Sequence, residues 1–232
     1  MFTRCVAINL DRRPDRWESF LARLPKDWPF PVPERWAACD EDQPNNKPPA
    51  YWTQCHGAWG CYQSHVAVLR WIAEERLDKV LVLEDDCIWA GNFTEHAKRF
   101  LEALPGDWGQ FYLGGEHIAQ NKGLPRSVNE TVLRCYNVNR THAYAVRRDF
   151  AEFALRYLTK RRHNRHVDYV FGEMHERSFY PVYAPPRWLV GQAAGPSDVA
   201  KCADWRASLV KTESWWNHFR YLDESGQRQT QR

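Results

Sequence analysis

The sequence predicts a single α/β domain with an open, largely parallel sheet flanked by helices, and three observations support this fold class. Short apolar segments alternate along the chain with amphipathic segments of helical period. The length of 232 residues suits one such domain with one core. The most apolar segment, 79–86, ends abruptly in three acidic residues, as expected where a buried strand meets a ligand site at the carboxyl edge of a sheet.

In the first half of the chain, short apolar segments typical of strands alternate clearly with segments of helical period. Seven prolines between residues 25 and 51 exclude long elements there. The apolar stripe over 57–77 predicts a long buried helix that leads into the strand ending at the acids. The predicted elements of this half are a strand at 4–10, a helix at 14–24, a short strand near 35–38, a helix at 57–77 and a strand at 79–86.

The second half continues the alternation as far as about residue 200. We expect residues 1–200 to form the domain and residues 201–232 to form a helical tail packed on it. The predicted elements are a helix at 93–104, a strand at 109–113, a flexible loop at 116–130, strands at 132–137 and 142–147, helices at 149–159 and 167–175, and a tail that is helical over 199–222.

Composition excludes several classes of protein. A formal charge of +3 is too small to indicate nucleic-acid binding by itself, and the one strong basic run, 160–166, is typical of a solvated helix end. Seven cysteines, an odd number without a CxxC pair, indicate reduced thiols rather than disulfides or a zinc site. The N-terminus becomes charged after ten residues, so we expect a cytoplasmic protein without a signal peptide or stable membrane insertion.

The acidic triplet Glu84-Asp85-Asp86 is the most informative feature. Three adjacent carboxylates at the end of a buried strand repel one another and lose solvation, so something must compensate for them. A hard divalent cation, Mn²⁺ or Mg²⁺, with a diphosphate completing its shell is the natural candidate. Alternation along an extended backbone puts Glu84 and Asp86 on one side and Asp85 on the other, which favours Asp86 as metal ligand, assisted by Asp85 or by Glu84 through water. The alternative is that the acids only cap a surface turn.

Several blocks resemble glycosyltransferase family 25, which includes bacterial lipooligosaccharide galactosyltransferases and collagen galactosyltransferases. They occur in the family's order and span about residues 5–200, and their shared order is more specific than any one block. The blocks are AINLDRRPDRWESF (7–20), GAWGCYQSH (57–65), LVLEDDC (81–87), FYLGG (111–115), THAYAVRRD (141–149), VDYVF (167–171) and GQAAGPSDV (191–199).

The resemblance implies a GT-A type fold with a Rossmann-like open mixed sheet. It also implies a metal-dependent, inverting enzyme that moves a sugar, a hexose in our interpretation, from a nucleotide sugar such as a UDP-sugar to an acceptor hydroxyl. The fold does not determine the acceptor. A glycan such as a surface lipopolysaccharide is the first hypothesis, a modified DNA base is the second, and a non-catalytic sugar-binding protein is the third.

The first block supplies candidate donor-binding residues. Asn9 ends the first strand, and Arg12 and Arg16 follow it four residues apart. In a GT-A arrangement this strand end faces the nucleotide, and arginine forms charge-assisted bonds to phosphate. We therefore expect Asn9, Arg12 and Arg16 to bind the donor; a solvated basic turn is the alternative for Arg13.

Ser64 and His65 are predicted to open a buried helix after Gly57 and Gly60. Small residues allow close approach of a ligand, and a helix N-terminus favours anions. By resemblance the pair lies near the donor, with Ser64 a binding residue together with Glu84 and His65 a catalytic candidate. A buried core histidine is an equally good interpretation of His65.

Inversion requires a base that takes the proton of the attacking hydroxyl. Asp168 matches the family's aspartate at the start of an apolar helical run, and Glu173 or His175 could replace it in this role. A helix N-cap is the alternative for Asp168.

The last block and the tryptophans add further candidates. Three donor-binding candidates belong to a loop closing on the diphosphate, although the serine among them could instead cap a C-terminal helix. Three of the twelve tryptophans flank the predicted site and either stack on the acceptor or fill the core. The loop candidates are Gln192, Ser197 and Asp198, and the tryptophans are Trp52, Trp59 and Trp89.

Overall fold

The computed structural model of the protein describes residues 2–118, 124–177 and 180–193. These residues form an open eight-stranded sheet flanked by helices, with a separate two-stranded sheet at one side. The α/β fold class is confirmed. The helical tail predicted at 201–232 lies outside the described residues and stays a prediction, as does the extent of the domain.

Ten strands and five α-helices make up the described part of the chain. The strands are β1 (Arg4–Asn9), β2 (Glu34–Ala37), β3 (Lys79–Glu84), β4 (Cys87–Trp89), β5 (Gln110–His117), β6 (Arg126–Asn129), β7 (Val132–Cys135), β8 (Val138–Arg147), β9 (Val182–Ala184) and β10 (Val190–Gln192). The helices are α1 (Pro14–Arg23), α2 (His56–Glu74), α3 (Phe93–Ala103), α4 (Arg148–Lys160) and α5 (Val167–Arg177).

The large sheet is mixed, in the order β2-β1-β3-β8-β5-β9-β7-β6. Three neighbouring pairs are parallel and four are antiparallel. The prediction of a largely parallel sheet was therefore wrong, whereas the open mixed sheet implied by the family resemblance is confirmed. Strand β8 causes the difference, because it lies antiparallel between β3 and β5 in the middle of the sheet.

Side chains of the central strands alternate between two hydrophobic clusters, one on each face of the sheet. In β3, Val80 and Val82 belong to the cluster that α2, α4 and α5 cover. Leu81 and Leu83 belong to the opposite cluster, where α1 and α3 contribute Phe20, Phe93 and Phe100. A strand with both faces covered reads as a continuous apolar run, which explains why β3 was evident from sequence.

Four short strands, β4, β6, β9 and β10, were not predicted. β4, β9 and β10 have three residues each, too few to show a period of two. The loop predicted at 116–130 contains the end of β5 and the whole of β6. β6 is an edge strand whose side chains are all exposed, so its sequence carries no apolar pattern.

None of the helices within the described ranges has the length and apolar character that crossing a membrane requires.

Candidate functional site

A cavity of about 720 Å³ opens at the carboxyl ends of β1 and β3. Its wall combines the ends of these two strands with the first half of α2, residues 139–141 of β8, the first turn of α5 and the end of β10. The volume lies within the range of pockets that hold small molecules and cofactors. The sequence-predicted site residues that line it are Asn9, Arg16, Ser64, His65, Glu84, Asp85, Asp86, Asp168 and Gln192.

The acidic triplet divides between two environments. β3 ends at Glu84, and Asp85 and Asp86 lie in the turn that follows. One nitrogen of Arg16 contacts Asp85 and lies 3.4 Å from Asp86 Oδ2. The alternation predicted from an extended backbone was therefore wrong, because the chain turns after Glu84 and brings Asp85 and Asp86 to the same guanidinium group.

Glu84 contacts the helix and strand beside it. Its Oε1 accepts a hydrogen bond of 2.8 Å from the Thr141 hydroxyl and lies 3.4 Å from His65 Nε2. Burial alone raises the pKa of Glu84, but the hydrogen bond and charge of His65 outweigh it, so that the pKa lies below its usual value. Glu84 is therefore held as a carboxylate that anchors β3 to α2 and β8.

Asp85 is held by the end of β1. Asn9 Nδ2 donates to Asp85 Oδ2 at 2.7 Å, while Asn9 Oδ1 accepts a bond of 2.7 Å from Arg35. Burial raises the pKa of Asp85 to about 6, although Arg16 and Asn9 oppose the shift. The ionised form of Asp85 is thus less stable than that of an ordinary aspartate, and an additional cation would stabilise it.

Asp86 meets the end of β10. Gln192 Nε2 lies 3.3 Å from both carboxylate oxygens of Asp86. The antiparallel pairing of Gln192 with Cys87 holds the two side chains together. Gln192 is 8% exposed, and its Oε1 has no hydrogen-bond partner among the described residues. A buried amide oxygen without a partner is a group that a cation can satisfy, and a flip of the amide would turn this oxygen toward Asp86.

Two sets of side chains in the cavity have metal-binding chemistry. Asp85, Asp86 and Gln192 offer oxygen atoms, which Mg²⁺ and Mn²⁺ prefer. Cys61, His65 and Glu84 place one ligand atom each within 4.8 Å of one another. The second set is already engaged internally, because both ring nitrogens of His65 have partners: Nδ1 is 2.9 Å from the Tyr144 hydroxyl and Nε2 faces Glu84.

The two arginines of the first block have different surroundings. Arg16 lines the cavity beside Asp85 and Asp86. Arg12 Nε donates to Asp40 Oδ2 at 3.0 Å, with Glu41 3.6 Å from its terminal nitrogen, and Arg12 is not part of the cavity wall. The structure therefore brings Arg16, and not Arg12, to the acidic triplet.

Ser64 and His65 do not open a helix, and that prediction was wrong. α2 begins at His56, so both residues lie in its middle. Gly60 lies inside this helix, and a larger residue would not fit there because a Cβ would come within 2.6 Å of the Cys39 carbonyl oxygen. The Ser64 hydroxyl donates to the Gly60 carbonyl at 2.7 Å and accepts the Cys39 N–H at 2.8 Å. Ser64 thus fixes the loop after β2 to α2 at the cavity wall.

Asp168 lies in the first turn of α5. Its Oδ2 accepts the backbone N–H of Arg140 at 3.1 Å, and its Oδ1 accepts the N–H of Tyr169 at 2.8 Å. Burial, followed by the charges of Glu84 and Asp168, raises the pKa of Cys61 well above its usual value. The Cys61 thiol therefore lies near both carboxylates and is not activated as a nucleophile.

The two substitutes considered for Asp168 have other surroundings. Glu173 is not part of the cavity wall, but it accepts a hydrogen bond of 2.9 Å from Arg165, which is. His175 is buried; its Nδ1 accepts the Val138 N–H at 3.2 Å, so its Nε2 carries the proton donated to Gln110. Burial lowers the pKa of His175 to about 3. His175 is a core histidine.

Sequence reasoning did not identify the contribution of β8 to the cavity wall. Arg140 has a left-handed backbone with φ of 76°, which breaks the regular strand and turns residues 139–141 into the cavity. Thr141 bonds to Glu84, and Tyr144 bonds to His65. The only signal was that Thr141 and Tyr144 belong to the block THAYAVRRD. Ser197 and Asp198 lie outside the described residues, so their predicted role stays a prediction.

A model of a known protein family matches most of the chain. The model of glycosyltransferase family 25, described as an LPS biosynthesis protein family, matches residues 4–171. The chain belongs to glycosyltransferase family 25. The matched range contains β1, the acidic triplet and Asp168.

Two curated relatives of this family 25 chain carry names that mention inactivity. The human "Inactive glycosyltransferase 25 family member 3" is 28% identical over 256 residues, covering 97% of this chain and 41% of the relative. The bovine "Probable inactive glycosyltransferase 25 family member 3" is 26% identical over 151 residues, covering 55% of this chain and 25% of the relative. The chain thus spans less than half the length of either relative.

Solved structures show only distant similarity to the family 25 chain. A glycosyltransferase involved in glycosylation of the major capsid of PBCV-1 aligns with a TM-score of 0.48 and 11% identity, covering 84% of this chain and 94% of that one. A mannose-1-phosphate geranyltransferase from Thermus thermophilus aligns with a TM-score of 0.43 and 13% identity, covering 89% and 78%. Similarity at this level does not indicate a function.

Proposed function

We propose that this chain transfers a sugar from a nucleotide sugar, a UDP-hexose, to an acceptor hydroxyl with inversion, assisted by Mn²⁺ or Mg²⁺. One observation carries the proposal: Asp85 and Asp86 with Arg16, and separately Asp168, line the same cavity. The first group has the chemistry to hold a diphosphate and a cation, and the second has the chemistry to activate a hydroxyl. Both are required for transfer to an acceptor.

The metal ligands of the proposal are Asp86 and Asp85, joined by the amide oxygen of Gln192. The buried Oε1 of Gln192 supports this set, because it has no hydrogen-bond partner among the described residues and would gain a cation as partner. A flip of the amide would exchange Oε1 with Nε2, which lies 3.3 Å from both carboxylate oxygens of Asp86. The raised pKa of Asp85 supports it as well, since this carboxylate lacks full compensation for its burial. The bound metal would neutralise charge that develops on the diphosphate leaving group.

Arg16 takes the role of a phosphate-binding residue. Its guanidinium now pairs with Asp85 and Asp86, and a cation on those carboxylates would release part of this pairing. Arginine donates several hydrogen bonds in a fixed geometry that suits phosphate oxygens. Asn9 keeps Asp85 in place from the buried side of the cavity.

Asp168 takes the role of the base. Two backbone N–H groups, those of Arg140 and Tyr169, fix its carboxylate on the cavity wall. Such fixation keeps the group oriented, and it receives the proton of the acceptor hydroxyl as that oxygen attacks the anomeric carbon. The nucleotide diphosphate leaves from the opposite face of the sugar, which gives inversion.

A carbohydrate acceptor is better supported than a DNA base. The basic run 160–166 that would contact DNA has partners within the chain. Arg162 lies 5.6 Å over the ring of Tyr51, Arg165 bonds to Glu173, and Asn164 bonds to Thr53. The description of the matched family as an LPS biosynthesis protein family points in the same direction.

A non-catalytic sugar-binding protein is the second candidate, and the names of the relatives favour it. The protein partners of all three acids are consistent with it too, because Arg16, Asn9, His65 and Thr141 compensate part of their charge. The two candidates differ in what Asp168 does, since a binding protein has no need of a base.

A screen of nucleotide-sugar hydrolysis tests the proposal without knowledge of the acceptor. Purified chain is incubated with Mn²⁺ and UDP-, GDP- or CMP-sugars, and released nucleotide is measured. We expect slow hydrolysis of a UDP-hexose that disappears with Asp86→Asn. Binding of UDP-sugar without hydrolysis or transfer would support the non-catalytic candidate, and the absence of binding to every donor would refute the proposed function.

A further inference from the structure

The tryptophans do not form the sugar-binding surface that their number suggests. Trp52 is 7% exposed and packs against Trp59 and Tyr62. Trp89 packs against Trp28 with ring centroids 5.0 Å apart. Among the described residues no tryptophan lines the cavity. The expectation that Trp52, Trp59 and Trp89 stack on the acceptor is therefore not supported, and their contacts are those of core residues.

One aromatic side chain of the cavity wall is instead exposed. Tyr169 is 50% exposed, and of the five large hydrophobic residues exposed in the described part of the chain it alone lines the cavity. Its backbone N–H bonds to the adjacent Asp168 carboxylate. Tyr169 and Asp168, the residue that we assign as the base, are thus neighbours in the first turn of α5 and both line the cavity.

The backbone under Tyr169 is firmly anchored. The neighbouring side chains Val167, Val170 and Phe171 are each at most 2% exposed and belong to the core. The ring of His166 meets that of Tyr169 edge to face, with centroids 6.4 Å apart. A single exposed tyrosine is ordinary on a protein surface, so the significance of Tyr169 comes from its place on the cavity wall, where an aromatic ring is available to a bound molecule.

A pair of hydrogen bonds connects Thr53, on the cavity wall, with Asn164, which lies shortly before Tyr169 in the chain. Thr53 N donates to Asn164 Oδ1 at 2.8 Å, and Asn164 Nδ2 donates back to Thr53 Oγ1 at 2.6 Å. This reciprocal pair joins the segment before α2 to the segment before α5, 111 residues apart in sequence. The segment that leads into Tyr169 is thereby tied to the wall in front of α2.

We infer that Tyr169 forms the acceptor subsite and that the acceptor is a pyranoside whose apolar face stacks on this ring, with its hydroxyl directed at Asp168. This inference rests on the proposed function. Sugar rings present C–H groups of weakly positive character on one face, which suit the negative face of an aromatic ring. A nucleobase also stacks on tyrosine, and Arg140, Arg165 and His166 line the same cavity as Glu116 and Asp168, so the experiment includes a nucleoside as the competing ligand.

Saturation-transfer NMR tests the subsite on the chain with UDP and Mg²⁺ present, because Mg²⁺ is diamagnetic and leaves the ligand signals sharp. The probes are methyl α- and β-pyranosides of glucose, galactose and mannose, with 5-hydroxymethyl-2′-deoxycytidine as the base. We expect at least one pyranoside to bind, Tyr169→Ala to weaken it about threefold to tenfold, and Tyr169→Phe to retain it. Tyr51→Ala is the matched control, because Tyr51 is 38% exposed but is not part of the cavity wall.

UDP affinity, measured on the same samples, separates this inference from the proposed function. Failure of the parent chain to bind UDP would refute the proposed function. If UDP binds normally, three results would overturn the subsite. These are no binding of any pyranoside, equal pyranoside affinity in the parent chain and in Tyr169→Ala, or binding of only the nucleoside at Tyr169.

Discussion

The carboxylate of Asp168 accepts the backbone N–H of Arg140 at 3.1 Å, and Arg140 is one of three non-glycine residues in the described part of the chain with a positive φ. The left-handed backbone turns this N–H away from the strand ladder and toward α5. The contact fixes a carboxylate on the cavity wall across from the nucleotide-binding group that we propose.

Replacement of Asp168 by asparagine should therefore separate basicity from structure. Asparagine keeps the shape and one acceptor oxygen, so we expect the melting temperature and UDP affinity to change little. The rate of sugar transfer, or of donor hydrolysis if no acceptor is found, should fall about 10²- to 10⁴-fold. Glu173→Gln is the matched control, since Glu173 lies on the same helix but outside the cavity wall. A near-parent rate in Asp168→Asn would place the base elsewhere, and loss of UDP binding would move Asp168 to the donor site.

Arg16 and Arg12 provide a second comparison. Arg16 contacts the two carboxylates that we assign to the metal and diphosphate, whereas Arg12 contacts Asp40 and Glu41. We expect Arg16→Gln to weaken UDP binding by about 2–5 kcal/mol, the usual effect of truncating one partner of a desolvated charge pair. Arg12→Gln should have a clearly smaller effect in the same calorimetric titration. Equal losses in the two variants would show that Arg12 also reaches the phosphates, as its sequence spacing predicted.

The stability of the protein at acid pH should depend on the buried side chain of His175. Its pKa is lowered to about 3 by burial, below the value near 6.5 of an unfolded chain. Below pH 6.5 His175 binds a proton in the unfolded chain but not in the folded chain. The free energy of unfolding therefore falls as the pH falls toward 3. The free energy of unfolding should drop by about 1.4 kcal/mol per pH unit from this residue alone.

Urea unfolding between pH 7 and 4.5 measures this slope. In His175→Gln the slope should be shallower by that amount, even if the variant is less stable at pH 7. His96→Gln on the exposed face of α3 should keep the parent slope. A slope unchanged in His175→Gln would mean that His175 takes up a proton in the folded protein as readily as in the unfolded chain.

The sequence predicted the elements that have strong periodicity and the residues that end them. β1, α2 and β3 were evident because their apolar runs are buried on one or both faces, and the acids at the end of β3 indicated a ligand site. The partners of these acids were not predictable in the same way. Asn9 and Asp85 are 76 residues apart and meet only because β1 lies beside β3 in the sheet.

The same reason explains the other misses. Gln192 meets Asp86 through the pairing of β10 with β4, two strands too short to be seen in the sequence. Arg12 and Arg16 lie four residues apart in the sequence, but Arg12 precedes α1 and Arg16 lies within it, and the two reach different carboxylates. Local pattern determines the elements, whereas the composition of the cavity wall depends on sheet order and on the turn after Glu84.

The most direct test of the proposed function is calorimetric titration of UDP into the chain with Mn²⁺ and, separately, with a chelator. We expect UDP to bind with Mn²⁺ present, and we expect its affinity to fall at least about tenfold with the chelator or in Asp86→Asn. In a separate titration with Mn²⁺, Gln192→Ala should lower the affinity for the metal about 10- to 100-fold. Melting temperatures of the variants should stay close to the parent, since removal of one carboxylate relieves repulsion. Equal UDP affinity with Mn²⁺ and with chelator would contradict the assignment of Asp85, Asp86 and Gln192 to a metal and diphosphate.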